Sequence, residues 1–223
     1  MITSVNPTSQ RISKLLEART GVKEEAEILD LLTQADSVTL NDTMGEVNLP
    51  KLFASVDDHW RGPKNKTSLM KLLSEDRLAE LATPARASII TGLQKESTEA
   101  KDQAASPAPE SSRVDEKAIG NILLGTRSTD LTDLKNSINA GPDAYDMHHL
   151  LNRDVHSPTL LREIYAHIQA EAKGHATGQL KPLSDIDDTF YLSHNDTRYP
   201  ENTVYPGVLA FYDELDRGSS ESA

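Results

Sequence analysis

Residues 157–169 read Ser-Pro-Thr-Leu-Leu-Arg-Glu-Ile-Tyr-Ala-His-Ile-Gln, and this run indicates the class of the fold. Ser157 can accept the first free backbone N–H groups of a helix, and Pro158 stands where a missing N–H costs nothing. Apolar side chains then recur at three- and four-residue steps and share one face of a helix: Leu160, Leu161, Ile164, Tyr165 and Ile168. The run therefore predicts an amphipathic helix that ends near Gly174.

An earlier part of the chain has the same organisation. Thr83 and Pro84 open a similar helical pattern, and the pattern Ser-x-x-Leu-x-Asp occurs at both 37–42 and 128–133. In each case an apolar helical segment precedes the pattern. We therefore predict a duplicated helical-bundle module in which each copy packs its own core. Such modules commonly bind another protein chain, and they also serve as spacers.

The boundaries of the modules follow from composition. Residues 94–114 are rich in Ser, Ala, Pro, Glu and Lys and lack a run of core-forming side chains, so they predict a disordered linker. This places the first helical copy at 10–93 and the second at 115–175. A separate segment remains at 178–223.

Composition excludes several classes of protein. The chain has 223 residues, no cysteine and a formal net charge of −12. Disulfides and thiolate metal sites are thereby excluded, and nucleic acid is a poor partner because its binding depends on basic side chains. Only 4% of residues are aromatic, which favours helices over a sandwich or barrel. No signal peptide or transmembrane run is recognisable, so we predict a cytoplasmic protein.

Two polar clusters have more than one interpretation. His148 and His149 could hold a metal together with Asp146, but adjacent residues point to different sides of a helix, which favours an exposed helix surface. Trp60, the sole tryptophan, follows two aspartates and a histidine. We expect its indole to cap the first bundle, with ligand stacking as the alternative.

The last segment contains a pattern with chemical meaning. Residues 183–189 read Leu-Ser-Asp-Ile-Asp-Asp-Thr and fit Asp-x-Asp-x-Thr at Asp185, Asp187 and Thr189. The first aspartate of such a pair can attack phosphorus, and the second can move a proton on the leaving or entering oxygen. A Mg²⁺ ion would offset the charge between the carboxylates and a phosphate. The pattern alone is also typical of a solvated acidic turn.

Three further pieces follow in order: Asp-Thr-Arg-Tyr-Pro at 196–200, Thr-Val-Tyr-Pro-Gly-Val at 203–208 and Ala-Phe-Tyr at 210–212. Together with residues 184–189 they resemble the start of the catalytic domain of the actin-patch-associated phosphatidate phosphatases, within the haloacid dehalogenase superfamily. The resemblance implies that Asp185 is the nucleophile and Asp187 the general acid/base, that both help to hold Mg²⁺, and that Thr189 supports the loop. It also implies a flap over 190–204.

The resemblance further implies a downstream Ser or Thr, a Lys and another acidic metal ligand, none of which residues 178–223 supply. A domain usually needs roughly 100–150 residues. We therefore expect a mainly α protein that ends in the first strand, flap and helix of a truncated haloacid-dehalogenase-like α/β domain. As a fragment of this kind, the chain should turn over little phosphomonoester.

Two functions stay open. The first is a Mg²⁺-dependent phosphatase whose substrate is phosphatidate or a soluble phosphomonoester. The second is a non-catalytic helical-repeat protein that binds a protein partner and carries a remnant phosphatase motif.

Overall fold

The structure is a computed structural model that describes residues 6–101, 110–141, 145–173, 200 and 203–217. These residues are mainly helical, and none of the described ranges contains a named strand. The chain divides into two compact units, Met1–His175 and Ala176–Ala223. The predicted strand before Asp185 lies outside the described residues, and so does most of the flap.

The first unit contains ten α-helices within the described ranges, two of which continue directly into a π-helical turn. A short 3-10 turn, Leu78–Glu80, precedes α6. The bounds are α1 Pro7–Leu15, α2 Val22–Gln34, α3 Ser37–Glu46, α4 Leu49–Ser55, α5 Asn65–Lys71 with the turn Leu72–Asp76, α6 Thr83–Lys101, α7 Glu110–Leu124, α8 Ser128–Asn139, α9 Met147–His149 with the turn Leu150–Asp154, and α10 Pro158–Lys173.

Polar side chains define the helix starts. The side-chain oxygens of Asn6, Asp36 and Asn48 accept backbone N–H groups at the starts of α1, α3 and α4. Ser157 Oγ accepts the N–H of Leu160 at 3.3 Å, as the sequence predicts for α10. Each cap satisfies a donor that has no partner inside its helix, which is why these residue types precede the apolar runs.

The helices of the first unit alternate between two rows. In one row α2 contacts α5, α5 and its π-helical turn contact α7, and α7 contacts α10. In the other row α3 contacts α6, and α6 contacts α8. Helix α1 covers α2 and α3, while α4 lies along α6. The apolar faces of both rows therefore meet in a layer between them.

This layer forms one core. A single cluster of buried apolar side chains joins residues from both predicted copies, among them Ile28, Leu40, Ile90, Ile122 and Leu134. Packing is close at Gly92 of α6, where an added Cβ would lie 2.8 Å from Leu49 Cβ and 3.0 Å from Phe53 Cε2. The expectation that each copy packs its own bundle is therefore wrong, because α6, α7 and α8 contribute to a shared core.

The predicted linker also differs from the structure at both ends. Helix α6 continues to Lys101 and α7 begins at Glu110, so residues 94–101 and 110–114 are helical. Residues 102–109 lie outside the described ranges. Helices α6 and α7 extend into this polar sequence because buried residues next to it, Gln94 in α6 and Ala118 in α7, pack against the core.

A local geometry recurs in the two halves. Leu-Leu-x-x-Asp at 72–76 and again at 150–154 forms a π-helical turn that follows a short α-helix. Each turn closes with a backbone bond of the same type, Arg77 N–H to Leu72 O at 2.9 Å and Val155 N–H to Leu150 O at 3.0 Å. In both halves the helix that follows begins with a hydroxyl residue and Pro.

Candidate functional site

The predicted catalytic residues Asp185, Asp187 and Thr189 lie outside the described residues. The part of the chain that the structure describes therefore tests neither their roles nor their Mg²⁺ ligation. The described part of the same unit consists of Pro200 and residues 203–217.

That part contains a turn and a helix. Gly207 has φ of +86°, a conformation that glycine adopts without a Cβ penalty, and helix α11 follows at Val208–Arg217. The N–H of Phe211 donates to Gly207 O at 2.8 Å and closes the first helical turn. Phe211 and Leu209 are 60% and 63% exposed. The helix that the sequence places over Ala-Phe-Tyr is therefore present.

Charged side chains meet inside the first unit. Lys66 of α5 is only 2% exposed, and its Nζ lies 2.8 Å from each carboxylate oxygen of Glu96 in α6. The same ammonium donates to Phe53 O at 2.8 Å and lies 3.3 Å from Asp115 Oδ1 in α7. We call Lys66, Glu96 and Asp115 the buried triad. It joins three helices through one cation and two carboxylates.

Desolvation controls the protonation of this triad. Burial raises the pKa of Glu96 to about 7, and the attraction of Lys66 only partly opposes that rise. Burial also raises the pKa of Asp115, again against the attraction of Lys66. Removal of a carboxyl group from water favours its protonated form, and here one cation faces two such groups. The triad can therefore take up or release a proton near neutral pH.

A second buried carboxylate orders the loop before α5. Glu25 of α2 accepts a bond from Asn65 Nδ2 at 2.6 Å, and its carboxylate lies 3.0 Å from His59 Nε2. Asp58 accepts the N–H of Thr67 at 3.0 Å and also its hydroxyl. The polar residues around 57–65 thus hold a loop in place. The expectation for Trp60 is wrong, because its side chain is 90% exposed and caps no core.

The histidine cluster has a structural explanation. His149 Nδ1 lies 3.0 Å from Asp154 Oδ2, and the same carboxylate accepts Gln94 Nε2 at 3.1 Å. His156 Nδ1 contacts the backbone oxygen of Asp154 at 3.0 Å. These contacts connect the second π-helical turn to α6. In the described part of the chain, no group of three or more His, Asp or Glu residues could hold a metal ion.

The surface of the first unit has grooves, and two of them bear on function. One, with a volume of about 410 Å³, runs between the start of α4, the outer face of α6 and the end of α8, and its polar side chains include Ser88, Thr91 and Lys95. The other, with a volume of about 320 Å³, lies between α8, α9 and α10. We call the second one the apolar groove. Its walls include Leu131, Met147, Leu151 and Ile168, beside Tyr165, which is 51% exposed.

Sequence reasoning missed the buried triad. Lys66 stands in a Gly-Pro-Lys-Asn-Lys-Thr-Ser run that reads as a turn, while Glu96 falls in the predicted linker. Their spacing of thirty residues carries no local signal, since only the packing of α5 against α6 and α7 brings them together. A weak signal exists for Lys66, which lies three residues before Leu69 on the apolar face of α5.

Comparison with known proteins finds no family model, no curated protein and no solved structure that matches the chain. The resemblance of the tail to phosphatidate phosphatases therefore rests on the residues that carry it. Of the described helices, none is both long and apolar enough to cross a membrane.

Proposed function

We propose that residues 184–217 form the beginning of a phosphatase site that cleaves phosphomonoesters through an aspartyl phosphate. The observation that carries the proposal is the ordered run Asp185-x-Asp187-x-Thr189, followed by Thr-Val-Tyr-Pro-Gly-Val and a helix. The described residues support one piece of this run. A left-handed Gly207 leads directly into α11, where the resemblance expects a helix.

The proposed chemistry has two balanced steps. A carboxylate oxygen of Asp185 attacks phosphorus and breaks the bond to the leaving oxygen, to which Asp187 donates a proton. Water then attacks the aspartyl phosphate, and Asp187 takes up the proton that this water loses. The second step regenerates the Asp185 carboxylate and releases phosphate. A residue that donates in one step and accepts in the next needs a position beside the nucleophile, as the two-residue spacing provides.

The donor set fits magnesium. Oxygen atoms are the ligands that Mg²⁺ prefers in proteins, and the resemblance implies that Asp185 supplies a carboxylate oxygen and Asp187 its backbone carbonyl oxygen. When bound, the ion would offset the repulsion between the carboxylates and an anionic phosphate. The chain has no cysteine, so a thiolate site for a softer metal is excluded.

The substrate class follows from the resemblance in part. Phosphatidate is the substrate that the resemblance implies, with diacylglycerol as product, and a soluble phosphomonoester is the alternative. The test is phosphate release from each substrate by the natural protein that carries these residues, with Mg²⁺ and with a chelator. We expect Mg²⁺-dependent release that Asp185→Asn abolishes.

The control for this assay is Asp188→Asn. It removes the same charge next to the pair but leaves both proposed catalytic carboxylates in place. Equal activity of wild type and Asp185→Asn would contradict the proposal, and so would equal loss in the Asp185 and Asp188 variants. Trapping of an acid-stable, hydroxylamine-sensitive phosphoprotein would locate the covalent step.

A second candidate function concerns the first unit, with its duplicated helical pattern. The observation that favours it is the apolar groove, where Tyr165 exposes half of its ring beside Leu131 and Ile168. Exposed aromatic side chains beside an apolar depression are typical of protein–protein contacts. In this alternative the unit binds a partner protein and the tail motif takes no part in catalysis.

The two candidates predict opposite results in cells that lack the natural gene. The phosphatase proposal expects that Asp185→Asn fails to restore function, whereas Tyr165→Ser restores it. The interaction candidate expects the reverse. Tyr165 is suitable because its half-exposed ring can be removed without opening the core.

A further inference from the structure

The loop between α4 and α5 is a short hairpin. Asp58 and Lys64 form an antiparallel β-bridge, and the N–H of His59 donates to Pro63 O at 3.1 Å. The N–H of Gly62 donates back to His59 O at 3.3 Å and closes the turn. We call residues 58–64 the tryptophan hairpin. Its tip consists of Trp60, Arg61, Gly62 and Pro63, all of them exposed.

The base of the hairpin is tied to the core. His59 lies 3.0 Å from the buried carboxylate of Glu25, and Asn65, the next residue after the hairpin, donates to the same group at 2.6 Å. Asp58 binds Thr67 of α5 through both of its carboxylate oxygens. Gly62 also packs closely, since an added Cβ would lie 2.9 Å from His59 Cβ. The conformation of the tip is therefore ordered before any contact is made.

The tip combines one indole with positive charge. Trp60 is 90% exposed and is the only tryptophan of the chain. Arg61 and Lys64 flank it, and within the described residues neither forms an ion pair. The adjacent residue Asp57 is acidic and exposed, whereas Asp58 accepts hydrogen bonds from Thr67. The chain as a whole is acidic, so this tip is a local exception.

We propose that the tryptophan hairpin is a membrane-contact site that inserts Trp60 into the headgroup region of an anionic phospholipid surface. Indole rings prefer the boundary between headgroups and acyl chains, because one end is apolar and the N–H still finds water or lipid oxygens. Arg61 and Lys64, exposed within four residues of the indole, supply positive charge for the lipid phosphates. The proposal does not depend on phosphatase activity of the tail.

Exposure and charge favour a lipid surface over a pocket in another protein. All four residues of the tip are exposed, and a deformable lipid interface accepts them without a matching cavity. The net charge of −12 does not prevent the contact, because charges on the body beyond about 8 Å are screened at physiological salt. The pre-ordered tip also avoids the entropy cost of fixing a loop on binding.

The experiment uses the fluorescence of Trp60, which reports on the tip alone. The full chain is titrated with vesicles of phosphatidylcholine and with vesicles that also contain phosphatidylserine, and vesicle binding is measured in parallel by co-sedimentation. Phosphatidylserine is chosen over phosphatidate so that hydrolysis cannot alter the surface. We expect a blue shift of the emission and co-sedimentation with the anionic vesicles only, both reversed by high salt.

Variants test the charges and the indole separately. Arg61→Gln with Lys64→Gln should weaken binding roughly 25-fold, since each basic side chain near an anionic surface contributes about a factor of five. Asp57→Asn should strengthen it by about the same single factor. Trp60→Ala should abolish co-sedimentation. Because the Trp60 side chain is 90% exposed, its removal should not unfold the protein, so a loss of binding reports on the indole itself. Lys135→Gln with Lys173→Gln removes equal charge from α8 and α10 and should change nothing.

Several outcomes would overturn the proposal. One is that the chain sediments with vesicles while the emission of Trp60 stays unchanged. Binding would then be due to another segment of the chain. Another is that Lys135→Gln with Lys173→Gln weakens vesicle binding as much as Arg61→Gln with Lys64→Gln does. A third is a blue shift that appears without lipid as the protein concentration rises. If sedimentation velocity shows dimers under the same conditions, the tip is a contact between two copies of the chain.

Discussion

Lys66 Nζ lies within 2.8 Å of both carboxylate oxygens of Glu96, although the lysine side chain is 2% and the glutamate side chain 16% exposed. With Asp115 beside them, two carboxylates share one cation at the junction of α5, α6 and α7. This junction connects the two predicted copies of the helical module. Its charge balance should therefore control how stably the first unit holds together.

The first prediction concerns pH. Because the folded pKa of Glu96 is about 7, above the ordinary 4.5, the native state binds this proton more tightly than the unfolded state. This contribution to stability is complete below pH 4.5 and is lost as the pH rises towards 7. A shift of this size corresponds to roughly 3 kcal/mol. Glu96→Gln should remove the dependence, so that its free energy of unfolding rises relative to wild type over that interval.

Urea unfolding at several pH values measures this difference. Exposed carboxylates with lowered pKa values, such as Glu80, act in the opposite sense in both proteins and cancel in the comparison. Glu163→Gln on α10 controls for the removal of one negative charge. A constant difference between wild type and Glu96→Gln across the pH range would contradict the prediction.

The second prediction concerns the cation of the buried triad. Lys66→Met leaves Glu96 and Asp115 buried without a positive partner, which should cost about 3–5 kcal/mol of stability. Adding Glu96→Gln and Asp115→Asn to the same protein should recover most of that loss, because no charge is then buried. Chemical unfolding of the single and triple variants measures both effects. Failure of the triple variant to recover would mean that Lys66 acts through packing alone.

The third prediction compares two Gly→Ala substitutions. At Gly92 the new methyl would meet Leu49 Cβ at 2.8 Å and Phe53 Cε2 at 3.0 Å, so α4 must shift and stability should fall by about 1–3 kcal/mol. At Gly45 in α3 nothing lies within 4 Å of the added atom. There the same substitution should stabilise by roughly 0.5–1 kcal/mol, because alanine loses less entropy in a helix. Thermal unfolding of the pair checks the sign of each change.

The fourth prediction concerns the second unit. Gly207→Ala forces a Cβ into the left-handed region and should cost roughly 1–2 kcal/mol locally. The first turn of α11 should open more often, so the amide of Phe211, which donates to Gly207 O, should exchange its hydrogen faster. Gly207→Asn should have a smaller effect, since asparagine tolerates this conformation better. Unchanged exchange at Phe211 in the alanine variant would count against the turn described here.

The fifth prediction is that residues 6–173 fold without the second unit. Among the described residues, the buried apolar cluster and the side chains packed against it all lie between Ile12 and Ile168. A polypeptide of this length should show the circular dichroism minima of a helical protein and unfold cooperatively. A spectrum without helical minima would refute the two-unit organisation.

Much of the architecture was accessible from local patterns. The hydroxyl–proline starts of α6 and α10 and the three- and four-residue spacing of Leu160, Ile164 and Ile168 predict helices, because capping and amphipathicity depend on neighbours within one or two turns. The π-helical turns at Leu72–Asp76 and Leu150–Asp154 were not predicted, since they depend on an extra residue per turn that apolar spacing does not reveal.

The candidate site residues also differ in how far the sequence alone predicts them. Asp185 and Asp187 are recognisable from two-residue spacing alone, and they remain a prediction from sequence. Trp60 was expected to cap the first bundle, yet it is 90% exposed in a hairpin whose base is fixed by the contacts of His59 with Glu25 and of Asp58 with Thr67.

The order of the residues thus sets the class of the first unit, since helix formation, capping and apolar periodicity are local properties of the chain. Which charges become buried was settled only when the helices packed. Lys66, Glu96 and Asp115 are far apart in sequence, and the pKa values of the two carboxyl groups are raised because the packing of three helices removes them from water. The raised pKa of Glu96 and the exposure of Trp60 both depend on contacts between residues far apart in the chain, so no stretch of neighbouring residues predicts them.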